Sequence, residues 1–232
     1  MNASNLGVRL AGFVFVGISC AHADIITSMA ELEANPRAAA YFKSPSTTEA
    51  IAQMALAKER KFGMQPECGA HEAKFVTMDV LSPIEFPAEQ EHPTKGRWQA
   101  IIELHRCGQR RAYSAIIGAI DREAPKPKFV SAGLSLANER LIIDAVGSAL
   151  LAVVLRDPET SKCKDIEFFN LAVTEPPTLS RSRTGLTAGK WKENWTFWVC
   201  GKLHTVEMRF EPDKNGNGIR FFVDAGTPTK LP

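Results

Sequence analysis

Two stretches of this chain, 93 residues apart, can be laid on one another without a gap. Gly96-Arg97-Trp98 runs on to Cys107-Gly108, and Gly189-Lys190-Trp191 runs on to Cys200-Gly201. In the same register Phe129-Val130-Ser131-Ala132-Gly133 falls on Phe222-Val223-Asp224-Ala225-Gly226. Upstream, Cys68 and Cys163 are offset by 95, which a loop two residues longer accommodates. A stretch of helical composition precedes each first cysteine, Thr47–Arg60 in one half and Asn138–Arg156 in the other. Self-similarity at a fixed period means two copies of one supersecondary unit, here of roughly 90 residues.

Each unit reads as one helix followed by four strands. Along the Trp-to-Cys strand, alternation puts Trp98, Ala100, Ile102 and Leu104 on one face, and Trp191, Glu193, Trp195 and Phe197 on the matching one. That apolar face should pack on the unit's own helix. Cys-Gly then makes a tight turn into a further alternating strand. The expected fold class is α+β, a tandem duplication of a helix plus a four-stranded antiparallel sheet. The expected divisions are 1–23 leader, 24–46 N-terminal helical extension, 47–136 first unit and 137–232 second unit.

The leader reading rests on Arg9, the apolar run Leu10–Cys20 and the Ala21-His22-Ala23 cleavage pattern. Export to the periplasm or the medium follows. A lipid anchor on Cys20 is disfavoured because Gly17 stands where such a box takes Leu. Four cysteines remain after cleavage at Ala23, an even number that in an exported protein argues for two disulfides. The repeat pairs them within each unit, Cys68–Cys107 and Cys163–Cys200. Leu141–Leu155 is apolar nearly all round but only 15 residues long and carries Asp144, so it reads as a buried helix and not a transmembrane span. Without Arg9 the chain has 27 Lys and Arg against 26 Asp and Glu, a net charge of +1, which gives no electrostatic drive toward nucleic acid.

The chemistry-bearing residues are few. Asp213, Asn215, Asn217 and Asp224 approximate a calcium-loop spacing. Their flanks alternate like strands, however, and Asn-Gly is a strong hairpin signal, so a turn is expected and no metal. The histidines form no metal-ligand spacing, and no cofactor motif occurs. His105, near a strand end, and Trp198, off the main apolar face, are the candidate partner contacts. Glu193, between two tryptophans, could serve as a general acid if burial held its proton. The alternative places it at the sheet margin, paired with Arg209; Ala100 in the matching place suggests that the fold does not require an acid there.

Trp191-x-Glu193-x-Trp195 followed by Cys200-Gly201 resembles a signature of exported proteobacterial proteins without an assigned activity, and the resemblance covers about 40 residues of the second unit. It implies a Gram-negative envelope location. The helix-plus-four-strand layout is similar to β-lactamase-inhibitor-like and cystatin-like folds, at the level of the fold only. The expectation is a non-enzymatic binding or interaction protein with an envelope or extracellular protein as partner. The competing readings are a carboxylate-dependent hydrolase and a calcium-dependent binding protein.

Overall fold

The computed structural model describes residues 23–64, 69–120, 123–177, 180–182, 185–187, 189–213 and 218–224. The first half runs β1 (Ala23–Ile26), α1 (Met29–Ala34), α2 (Pro36–Phe42), α3 (Pro45–Lys61), β2 (His71–Pro87), β3 (Lys95–Arg106), β4 (Gln109–Ile120) and β5 (Lys126–Gly133). The second runs α4 (Glu139–Arg156), a 3-10 turn (Pro158–Lys162), β6 (Ile166–Glu175), β7 (Ser180–Ser182), β8 (Gly185–Thr187), β9 (Trp191–Val199), β10 (Lys202–Pro212) and β11 (Ile219–Asp224). The fold is mixed α+β, as composition and periodicity indicate.

Nine of these strands form one sheet in the order β1-β2-β3-β4-β5-β6-β9-β10-β11, with β7 and β8 as a separate ribbon. The sheet is therefore continuous where two sheets of four strands were expected. The stretch 24–46 is likewise more than a helical extension. It opens with β1, which pairs antiparallel with β2 from Ala23↔Pro87 to Ile26↔Ile84 and so forms the sheet's edge.

Helix starts are written locally. Ser44 accepts a hydrogen bond from the Thr47 N–H and Pro45 occupies the first turn of α3; Asn138 caps α4 through the Leu141 N–H. α3 buries Ile51, Ala52, Ala55 and Leu56, a helical stripe, against a core containing Met78, Trp98, Ile102 and Tyr113. α4 buries Ala145, Ala149, Ala152 and Val153 against Trp195, Phe197, Met208 and Phe210. Small helix residues let the backbone come close to large sheet side chains. Leu141, Ile142, Val146 and Leu150 flank that stripe half-buried, but Ile143, Leu151 and Leu155 stay 61%, 57% and 72% exposed, so one face of the helix that was expected to be buried is left uncovered. Among the described residues no helix is long and apolar enough to cross a membrane.

Cys107 and Cys200 have φ of 51° and 47°, and the following Gly108 and Gly201 have 72° and 81°. Each Cys-Gly pair is a two-residue hairpin loop, closed by Arg106↔Gln109 and by Val199↔Lys202. Positive φ at both central residues matches the right-handed twist of the flanking strands. Cys200 is bonded to Cys163, with Cα atoms 5.7 Å apart. Cys107 is disulfide-bonded as well. Cys68 lies outside the described residues, as does Cys20.

All neighbouring strands of the large sheet are antiparallel except β5 and β6, which are parallel and share only the rungs Ala132↔Asn170 and Gly133↔Leu171. Side chains at one rung point to the same face. Ala132 lies in the α3 core and Leu171 in the α4 core, so those adjacent positions face opposite ways. α3 and α4 therefore cover opposite faces of the sheet. Gly133 permits the junction: its φ is 77°, and a Cβ there would stand 1.9 Å from the Leu171 carbonyl oxygen. Gly133→Ala should lower stability by at least about 2 kcal/mol in urea unfolding, from the strained φ plus displacement of β6. A loss below about 0.5 kcal/mol would mean that the junction is not as close as the pairing requires.

Candidate functional site

Glu193 is fully buried in β9, with 0% exposure, and not at the sheet margin. Its Oε1 accepts from the Trp191 indole at 2.8 Å and from the Leu136 and Ala137 N–H groups at 2.8 and 3.3 Å. Its Oε2 accepts from the Trp195 indole at 2.8 Å and the Ser135 hydroxyl at 2.6 Å. Arg209, the expected partner, instead lies 3.4 Å from Glu211. Five donors occupy the carboxylate and tie the segment leading into α4 to the sheet. A buried carboxylate so surrounded has no lone pair to offer a substrate. Replacing it leaves donors facing a donor: Glu193→Gln should cost about 3 kcal/mol of unfolding free energy in urea. A cost under 1 kcal/mol would contradict this anchoring role.

The first half has Ala100 at the matching position, and there the Trp98 indole N–H is buried without an acceptor. Its helix is latched by another acid. Glu59 of α3 accepts from the Tyr113 hydroxyl and from Arg106, and Arg111 lies 3.6 Å away. Burial first, and then Glu59, hold the Tyr113 phenol well above its usual pKa.

A concave site opens where the two halves meet. It is a groove of about 740 Å³ between the N-terminal half of α4 and the face of β3–β5 that α3 does not cover. One wall is Ile116 and Ile120 of β4; the other is Ile142, Ile143 and Val146 of α4. Phe129 and Phe168 form its floor, their rings edge-on with centroids 5.7 Å apart across the β5–β6 junction. Ile120 and Ile143, on facing walls, are 62% and 61% exposed. Covering either would gain about 1 to 2 kcal/mol of apolar burial, so the groove is an incompletely closed core.

Three cations stand at its edge, Lys95, Arg97 and Lys128. Arg97 is paired with Glu139 at the start of α4, and Lys95 lies 3.0 Å from Glu85. Lys128 has no carboxylate within ion-pair distance among the described residues. Both the Lys128 and the Arg97 side chains lie over Gly118: a Cβ there would meet Lys128 Nζ at 3.8 Å and Arg97 Cγ at 3.7 Å.

A shallower depression on the α3 side shares Lys128, Phe129 and Phe168 with the groove. There the Lys58 ammonium donates to the Val130 carbonyl at 2.6 Å, satisfying a β5 edge group close to the two-rung junction. Burial lowers the Lys58 pKa, partly offset by Glu167.

The residues singled out from sequence lie elsewhere. Trp198 is half-buried on the α3 face of β9, its ring 5.0 Å from Phe62. His105 is half-buried beside Glu103. Asp213 closes the β10–β11 hairpin through its N–H to the Gly218 carbonyl at 2.8 Å. Asp224 pairs with Glu207, five residues up β11 from the rung Pro212↔Ile219. At strand rise that is about 17 Å, too far for Asp213 and Asp224 to share an ion. Asn215 and Asn217 lie outside the described residues. The groove did leave a trace in the sequence: Ala115-Ile116-Ile117-Gly118-Ala119-Ile120 is apolar on both faces, which a strand with one solvated face would not be.

No protein-family model, curated protein or solved structure matches this chain.

Proposed function

We propose that the protein is an exported, non-catalytic binding protein of the bacterial envelope, and that the groove between α4 and the back of β4–β5 holds its ligand. The observation that carries this reading is a β4 strand apolar on both faces opposite a helix whose Ile143 is left in water. A concave site of about 740 Å³ has the size of small-molecule pockets and not of a flat protein–protein face, which moves the reading from a protein partner toward a ligand. The hydrolase reading loses support because Glu193 is enclosed by five donors. The calcium reading loses support because Asp224 sits far up the ladder from Asp213.

The leader pattern supports export, and so does the Cys163–Cys200 bond. The two halves we take as copies of one ancestral unit. In support, helix-then-four-sheet-strands occurs twice and both Cys-Gly loops share positive φ. Trp98 is also kept although Ala100 leaves its indole without the acceptor that Trp191 has. On that reading Cys107 pairs with Cys68, and non-reducing peptide mapping should recover a Cys68–Cys107 peptide; a peptide linking Cys68 to Cys163 or Cys200 would contradict it.

The groove reading is tested with a neutral apolar fluorophore, N-phenyl-1-naphthylamine. Its emission should rise saturably with the wild-type protein, and Ile143→Asp should abolish the rise without lowering Tm, since Ile143 is already exposed. Equal binding by the variant would show that the site lies elsewhere.

A further inference from the structure

Resting on the groove reading, we infer that the ligand is a single-chain amphiphile with an anionic head, a long-chain fatty acid carboxylate being the simplest member. The chain lies between Ile116, Ile120 and Ile143 over Phe168, and the head meets Lys128. The walls supply apolar side chains from two elements, so an extended hydrocarbon can touch both at once. Polar groups gather at the β3–β5 edge, where the charge is of one sign. The lining contains three cations and one acid, Glu139, which Arg97 already holds. Lys128 is the cation left for a ligand, and its ammonium sits over Gly118 beside the Arg97 side chain.

A cationic head would meet uncompensated like charge at Lys128, and a neutral one would leave that ammonium without an ion partner. A second copy of this chain would have to present a narrow apolar ridge ending in an acid. The exposed apolar residues at the far end of α4, Leu151 and Leu155, do not supply one, because they are followed by Arg156, which would bring like charge to Lys128.

The test is calorimetric titration of the purified protein with sodium laurate, myristate and palmitate below their micelle concentrations, and with neutral 1-hexadecanol. Affinity should rise with length by up to about fourfold per methylene until the groove is filled. Palmitate should bind at least about tenfold tighter than the alcohol. Lys128→Gln should weaken palmitate at least fivefold while leaving Tm unchanged. Retained fluorophore binding with no difference between palmitate and hexadecanol, or with no effect of Lys128→Gln, overturns the anionic head and spares the groove. Loss of all binding, fluorophore included, overturns both. A concentration-dependent dimer in sedimentation velocity, abolished by Ile143→Asp, would make a second copy the occupant and overturn the inference.

Discussion

Two rungs of parallel pairing, Ala132↔Asn170 and Gly133↔Leu171, connect everything before α4 to everything after it within one sheet. Had β6 joined β5 antiparallel, the second half would repeat the first by simple translation, with both helices on one face. Joining it parallel turns the second half over, because its first strand then runs opposite to β2. One helix must then cover each face. This places α4 beside the back of β3–β5, the face that α3 does not cover, and the space between them is the groove. The close approach depends on Gly133, the only residue type that fits a positive φ with a neighbouring carbonyl so near.

Each half then secures its helix to the sheet with a buried carboxylate, by different chemistry. In the first, Glu59 reaches from α3 to Tyr113 and Arg106, a charged acceptor with one neutral and one cationic donor. In the second, Glu193 reaches from the sheet to the turn before α4 and is held by neutral donors alone, two of them the indoles two residues either side of it. Buried charge is tolerated in both because the donors are fixed in place by the fold, so solvation lost on burial is replaced by preorganised hydrogen bonds. The Glu193 cluster also fixes where α4 begins, and with it the position of Ile142, Ile143 and Val146 on the groove wall.

Much of the local structure was legible in the sequence, since it rests on short-range rules. Alternation assigned the Trp98 and Trp191 faces and the two strands that flank residues 213–218, and Cys-Gly marked both two-residue hairpins. The assembly was not legible. Periodicity fixes which residues share a face of one strand, but nothing in the run Lys126–Gly133 or Ile166–Glu175 declares that the two strands will pair parallel over two rungs. The candidate site depends on that pairing, so residue type and spacing single out Glu193, Trp198 and His105 in the sequence and not Ile116, Ile120 and Lys128. Ala100 at the matching position suggested that no acid was needed, whereas the second half uses the acid to satisfy two indoles and an N–H turn at once.

The central claim is that the turned-over second half creates a ligand groove at the junction. Backbone amide shifts followed by two-dimensional NMR during titration with sodium palmitate test it most directly. The account predicts saturable shifts confined to Ile116–Ile120, Lys128–Phe129, Ile142–Val146 and Phe168, with the α3 face and the β10–β11 hairpin unmoved. Shifts centred on α3, or none at saturating palmitate, would contradict it.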